Sequence, residues 1–180
     1  MTETRNIVLI GFMGTGKSAV GRVLARRTGF RHLDTDSEIE ILVGKTIPEI
    51  FTDDGEEAFR AKETALLMSL AASVTGAEPL ILSTGGGTPL RAGNAALLKA
   101  IGTVVWLQVA PKAILSRVAH SLHERPLLAA YQADPLGRIE RLLAQREPVY
   151  AALADVILDT SDCAHSEEGA SRLMEQLKLL

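Results

Sequence analysis

"GFMGTGKSAV", residues 11 to 20, follows the apolar run "NIVLI" (6–10) and packs three glycines, a lysine and a serine into eight positions. So few side chains behind a strand-like run leave the backbone free to close on a ligand, and Lys17 says that the ligand is an anion. Counted from Gly11 the spacing is G-x-x-x-x-G-K-S, with a strand before it and a helix after it. That is the context a phosphate-binding loop requires; the alternative, a glycine-rich turn that matches by accident, does not call for both flanking elements. The glycines let backbone N–H groups turn inward around a phosphate, and the new helix adds its positive end. The expected nucleotide contacts are Gly14, Thr15, Gly16, Lys17, Ser18 and Ala19. Lys17 is expected to reach the β- and γ-phosphates, and the Ser18 hydroxyl to ligate Mg²⁺.

Beyond the loop, short apolar runs alternate with helical stretches. Residues 5–11, 31–34, 79–83, 103–109 and 155–159 read as strands buried on both faces. Helices are predicted over 17–28, 37–43, 57–74, 92–100, 111–119, 136–147 and 166–179, several of them closed by a glycine. "TIPEIF" (46–51) opens a further short helix, with Thr46 and Glu49 at capping-box spacing. This alternation implies an α/β fold, a parallel sheet of about five strands with helices on both faces, which binds ligands at the carboxyl ends of its strands.

Composition narrows the possibilities. A chain of 180 residues that is 47% apolar, with no Pro-, Ser- or Gly-rich linker, is expected to form one domain over 1–180. The net charge of −3 gives no bulk attraction for nucleic acid. The sequence has no membrane-length apolar run, and "MTETRN" does not have the build of a signal peptide, so a cytoplasmic protein is expected. The single cysteine, Cys163, excludes an internal disulfide and a Cys-cluster zinc site, and is expected to do no chemistry.

Three further groups of residues carry chemistry. "HLDTDSE" (32–38) puts Asp34 and Asp36 at the end of the second strand, on the sheet edge of the phosphate loop. One of them can hold metal-bound water and the other can accept a proton from an attacking hydroxyl; plain helix capping by Asp36 or Ser37 is the alternative. His32 reads as a packed or half-exposed strand residue. "LSTGGGTPL" (82–90) brings Gly85, Gly86 and Gly87 to a third strand end, a bare surface able to lie flat against a small polar ring or close to the γ-phosphate, or else a merely flexible turn. Arg60 lies near the start of a long helix with Glu63 three residues on, Arg125 stands in a breaker-rich loop, and Arg146 ends a helix ahead of Pro148. Each arginine fork suits a carboxylate or phosphate, though singly such residues are more often solvated.

Taken in order, "GFMGTGKS", "LDTD", "FR" followed by Glu63, "GGG", "RPLL" and "REPVY" resemble the shikimate kinase family, from about residue 7 to 162. The resemblance implies a five-stranded parallel sheet of order 2-3-1-4-5, a substrate-binding region around 33–63 and a mobile lid at about 120–136. It implies transfer of the γ-phosphoryl group of ATP to the 3-hydroxyl of shikimate, on the route to chorismate and aromatic amino acids, with ATP and Mg²⁺ as cofactors. Asp36, Arg60, Arg146 and the triplet Gly85, Gly86 and Gly87 would bind shikimate, Asp36 taking the hydroxyl proton, and Asp34 would join Ser18 at the metal. Arg125 would close over ATP with the lid and act with Lys17 on the transferring phosphoryl group. Many family members set a basic residue against adenine in the loop after the last strand; "DTSDCAHS" (159–166) has Cys163 in roughly that place, and Arg117 is the candidate to stack on the base. The expected partners are shikimate and ATP, with neither nucleic acid nor membrane, and the expected state is a monomer. A gluconate kinase would share the nucleotide half. A GTP switch is weakened by the lack of an N-K-x-D motif, and a catalytically silent binding protein by the presence of Lys17, Ser18, Asp34, Asp36 and all three arginines.

Overall fold

The computed structural model describes residues 6–73, 78–119 and 134–179. Five strands, β1 (Ile7–Ile10), β2 (Arg31–Asp34), β3 (Leu80–Ser83), β4 (Thr103–Gln108) and β5 (Val156–Asp159), form one sheet of order β2-β3-β1-β4-β5, every neighbouring pair parallel. Strand placement agrees with the sequence reading to within two residues at each end. The helices are α1 (Lys17–Thr28), α2 (Thr35–Val43), α3 (Ile47–Asp53), α4 (Glu56–Ser73), α5 (Asn94–Ile101), α6 (Pro111–Val118), α7 (Pro135–Leu153) and α8 (Ser166–Leu177), with a 3₁₀ turn at Thr88–Leu90.

The strand period of two sorts side chains onto opposite faces. Ile7, Leu9, Ile81, Val105 and Leu107 point to one side, where Val20, Val23 and Leu24 of α1 and Ala170, Leu173 and Met174 of α8 cover them. Val8, Ile10, Leu82, Val104 and Trp106 point to the other, against Leu67 of α4, Leu98 and Ile101 of α5, and Tyr150 and Leu153 of α7. Two satellite clusters then shape the site. Ile39, Ile50 and Phe59 tie α2, α3 and α4 together, and the Thr46–Glu49 capping box starts α3 as its spacing predicts. Phe12 of the phosphate loop is fully buried among Ile114 and Val118 of α6 and Ile139, Leu142 and Leu143 of α7.

Two helices depart from the sequence reading. Helix α7 does not stop at Arg146 but runs through Pro148 to Leu153. The proline removes one helical hydrogen bond, yet the turn after it buries Tyr150 completely and Leu153 almost so, which outweighs that loss. Helix α2 begins at Thr35, and its cap is Asp34, whose Oδ1 accepts from the amides of Asp36 and Ser37; neither of those two residues is the cap itself.

Asn6 joins three strands at the opposite end of the sheet. Its buried amide donates to the Ile101 carbonyl (2.9 Å) and accepts from the Leu80 amide (2.8 Å), while its own carbonyl accepts from Thr103 (2.9 Å). Asn6→Ala strands two buried backbone groups and is expected to cost about 1–3 kcal/mol for each. Urea denaturation measures this, and an unchanged midpoint would contradict the account.

Candidate active site

In register, Leu9 lies beside Ser83 and Ser83 beside Asp34, so the carboxyl ends of β1, β3 and β2 release three loops next to one another. At the first, Gly14 (φ 74°) and Gly16 (φ 90°) take left-handed conformations that side chains resist. Helix α1 starts there without a side-chain cap, and the amides of Gly14, Gly16, Ser18 and Ala19 find no acceptor among the described residues. The loop is thus a cradle of N–H donors at a helix N-terminus. The Lys17 ammonium, almost buried, is held by the carbonyls of Gly11 (2.9 Å) and Phe12 (2.8 Å), and Thr15 Oγ1 donates to the Phe12 carbonyl.

At the second loop, Asp34 divides its carboxylate. Oδ1 caps α2, while Oδ2 accepts from the Ser18 hydroxyl at 2.5 Å. Two hard oxygen donors therefore meet at one point beside the cradle. Among the described residues no three His, Cys, Asp or Glu side chains gather to hold a metal alone. A hydroxyl and one carboxylate fit Mg²⁺, which keeps several waters and takes the rest of its shell from phosphates. Asp36, two residues on, has a buried Oδ1 with no hydrogen-bond partner among the described residues. Burial pushes its carboxyl up to about 6; Asp34 and Glu63 push the same way, and Lys17 and Arg60 oppose them.

The third loop holds Gly85, Gly86 and Gly87. The sequence reading expects an open glycine face, but protein atoms fill the space that side chains would take. A Cβ on Gly85 would stand 2.9 Å from Asp36 Oδ1 and 3.0 Å from Glu63 Oε1. One on Gly86 would meet the Met13 amide nitrogen at 3.2 Å, and one on Gly87 the Arg60 guanidinium at 2.7 Å. The triplet is also pinned. The Gly85 amide donates to Thr35 Oγ1 (2.9 Å), Tyr150 donates to the Gly86 carbonyl (2.6 Å), Thr88 donates to Glu63, and Asn94 donates to the Thr88 carbonyl (2.9 Å). Flexibility is therefore not what the glycines provide. The amides of Gly86 and Gly87 find no acceptor among the described residues.

Two of the arginines converge here. Arg60 pairs with the wholly buried Glu63 (2.5 Å) and with Glu56 (3.2 Å), and leans on Gly87. Arg146, 9% exposed, lies over the Phe12 ring at 5.2 Å and makes no ion pair among the described residues. Arg125 and most of the expected lid, 120–133, lie outside the described residues. Arg117 is on the nucleotide side, donating to the carbonyls of Thr160 (2.6 Å), Cys163 (3.2 Å) and Thr15 (3.4 Å). With Thr15, Gly16, Ala19, Cys163 and Ala164 it lines a cleft of about 290 Å³ beside the cradle. His32 is half-buried against Ser83 Oγ (3.0 Å), consistent with a packed strand residue. Sequence reasoning missed Thr35, Thr88 and Tyr150. Each stands inside a quoted motif, but each acts through a long-range hydrogen bond that no spacing rule reports.

Comparison with known proteins agrees with this geometry. The shikimate kinase family model matches residues 13–178. The shikimate kinase of Symbiobacterium thermophilum is 41% identical over 174 residues, 96% of each chain, and that of Methylococcus capsulatus 44% identical over 172 residues, 96% of this chain and 91% of that one. The structure of shikimate kinase from Acinetobacter baumannii in complex with shikimate superposes with a TM-score of 0.86 at 37% identity, covering 98% of this chain and 94% of that one. A phosphate cradle after β1, two carboxylates where β2 passes into α2, a pinned glycine triplet after β3 and a sequence match over nearly the whole chain lead to one conclusion: this chain belongs to the shikimate kinase family.

Proposed function

We propose that Asp36, Arg60, Arg146 and the amides of Gly86 and Gly87 hold shikimate, while residues 14–19 hold the phosphates of ATP and the Arg117 cleft takes its base. As a member of its family the chain transfers the γ-phosphoryl group of ATP, with Mg²⁺, to the 3-hydroxyl of shikimate, giving shikimate 3-phosphate and ADP on the route to chorismate. Its action as a cytoplasmic monomer, independent of nucleic acid and membrane, is part of the same proposal. Among the described residues no helix is long and apolar enough to cross a membrane.

The observation that carries the acceptor assignment is Arg146. A nearly buried guanidinium with no carboxylate partner among the described residues is costly, and the carboxylate of shikimate would supply that partner. Arg60 already has Glu56 and Glu63 to fix its fork, so it can offer its remaining N–H groups to the same anion. The ring hydroxyls need donors and an acceptor. Among the described residues the Gly86 and Gly87 amides find no acceptor and Asp36 Oδ1 finds no donor.

Phosphoryl transfer demands mainly in-line positioning and neutralised charge. The unpaired amides of the cradle would grip the phosphates, and Lys17 would follow the charge that builds on the β- and γ-oxygens. Ser18 and Asp34 would hold Mg²⁺, which when bound shields the same oxygens. Asp36, less acidic than an ordinary aspartate, would orient the 3-hydroxyl and take its proton near neutral pH. Arg125 would meet the transferring group as the arginine of the lid.

ADP release from MgATP is expected to require shikimate; a rate with gluconate equal to that with shikimate would overturn the assignment. Lys17→Ala is expected to lower kcat by orders of magnitude, and near-normal turnover would remove Lys17 from the phosphates. Arg146→Ala should weaken shikimate binding by about 2–5 kcal/mol with ATP binding retained, as read by equilibrium titration.

Asp36 also makes stability pH-dependent. Its folded pKa, about 6, lies above the 3.8 of an ordinary aspartate, so the fold binds the proton more tightly than the unfolded chain does. The free protein should therefore lose stability as pH rises through that window, and remain less stable above it. Asp36→Asn cannot ionise, so it should exceed the parent by up to about 3 kcal/mol at pH 8 and by much less at pH 4.5 in urea denaturation. An equal difference at both pH values would refute this.

A further inference from the structure

Tyr150 is completely buried, and its ring packs against Trp106 with centroids 5.8 Å apart. Packing alone would be served by phenylalanine. A buried hydroxyl costs free energy unless it finds a partner, and this one has the carbonyl of Gly86, at 2.6 Å. The phenol stays protonated well above neutral pH, because burial pushes its pKa up. It is therefore a permanent donor to one peptide group of the glycine triplet.

That peptide is trans, as are all the described peptide bonds. Its carbonyl belongs to Gly86 and its N–H to Gly87, and the two point in opposite directions. A bond that fixes the carbonyl toward helix α7 therefore aims the Gly87 N–H away from α7. The Gly87 amide is one of the two in the triplet that find no acceptor among the described residues. The backbone of Gly86 abuts Met13 and Gly11 of the phosphate loop, so the triplet is gripped between that loop and Tyr150. Arg146 lies one helical turn before Tyr150, and its charge acts on the phenol. One helix thus carries both the guanidinium proposed for the acceptor's carboxylate and the hydroxyl that orients the amide proposed for its ring.

We propose that Tyr150 is a positioning residue for the acceptor: through the Gly86 carbonyl it fixes the direction in which the Gly87 amide meets a ring hydroxyl of shikimate. The inference rests on the acceptor reading above. It assigns Tyr150 no contact with either substrate.

The test is calorimetric titration of the parent and Tyr150→Phe with shikimate, with its three monodeoxy analogues and with ATP. Phenylalanine keeps the ring against Trp106, so ATP affinity should stay within twofold and the melting temperature close to the parent's. Shikimate affinity should fall about three- to tenfold, the worth of one aimed neutral hydrogen bond. For the analogue that lacks the hydroxyl met by Gly87, the ratio of parent to variant should collapse to about one, which general loosening of the fold would not produce. A ratio near one for shikimate, or the same ratio for shikimate and all three analogues, overturns the proposal. So does a loss of ATP affinity equal to the loss for shikimate. Arg146→Ala, titrated in parallel, separates the two levels. If it also binds shikimate at parent affinity, the acceptor reading fails; if it weakens while Tyr150→Phe does not, only the role of Tyr150 fails.

Discussion

The site depends on three absent β-carbons. Gly85, Gly86 and Gly87 lie so close to Asp36 and Glu63, to the phosphate loop, and to Arg60 that a side chain at any of the three would force a neighbour to move. None of the three has a positive φ, so close approach and not backbone conformation is what calls for glycine here. On the proposed reading this close approach sets the spacing between the two halves of the reaction. The phosphate loop follows β1 and the glycine triplet follows β3, and at Gly86 the two lie so near that a Cβ would stand 3.2 Å from the Met13 amide nitrogen. Phosphoryl transfer tolerates little error in the distance between donor and acceptor, and a rigid contact between two main chains holds that distance better than side chains could.

Electrostatics then divides the work among the carboxylates. Asp34, Asp36 and Glu63 stand close together, with Lys17 and Arg60 as the cations that act on Asp36. Glu63 spends its charge on Arg60 and Thr88, and Asp34 spends its own on Ser18 and the start of α2. Asp36 is left buried, with an oxygen that has no partner among the described residues and with two acidic neighbours, the setting that raises a carboxyl pKa. The proposed base and the proposed metal-side ligand thus differ in their hydrogen bonds, although both are aspartates two residues apart.

Much of this architecture was legible in the sequence because its signals are local. Glycine spacing marked the phosphate loop, apolar runs marked the strands, and Gly29 and Gly44 closed α1 and α2 as read. What escaped depends on tertiary contact. Pro148 reads as a helix stop, and only the burial of Tyr150 and Leu153 beyond it keeps α7 intact. Asp36 and Ser37 look like caps, but Asp34 already faces their amides. The site residues follow the same division. Residue types and order were readable, while the pinning by Thr35, Thr88 and Tyr150 spans 50, 25 and 64 positions along the chain. No window of sequence contains both partners of such bonds.

The aromatic pair on the acceptor side of the sheet has an optical consequence. The chain has one tryptophan, Trp106, so its indole emission arises at a single point. That indole is 5% exposed and stacks at a tilt on Tyr150, whose hydroxyl holds the glycine triplet. Two contacts separate the fluorophore from the glycine triplet. On the proposed reading of that triplet, a rearrangement there on acceptor binding would reach the indole, and the chain's own fluorescence would report it without modification.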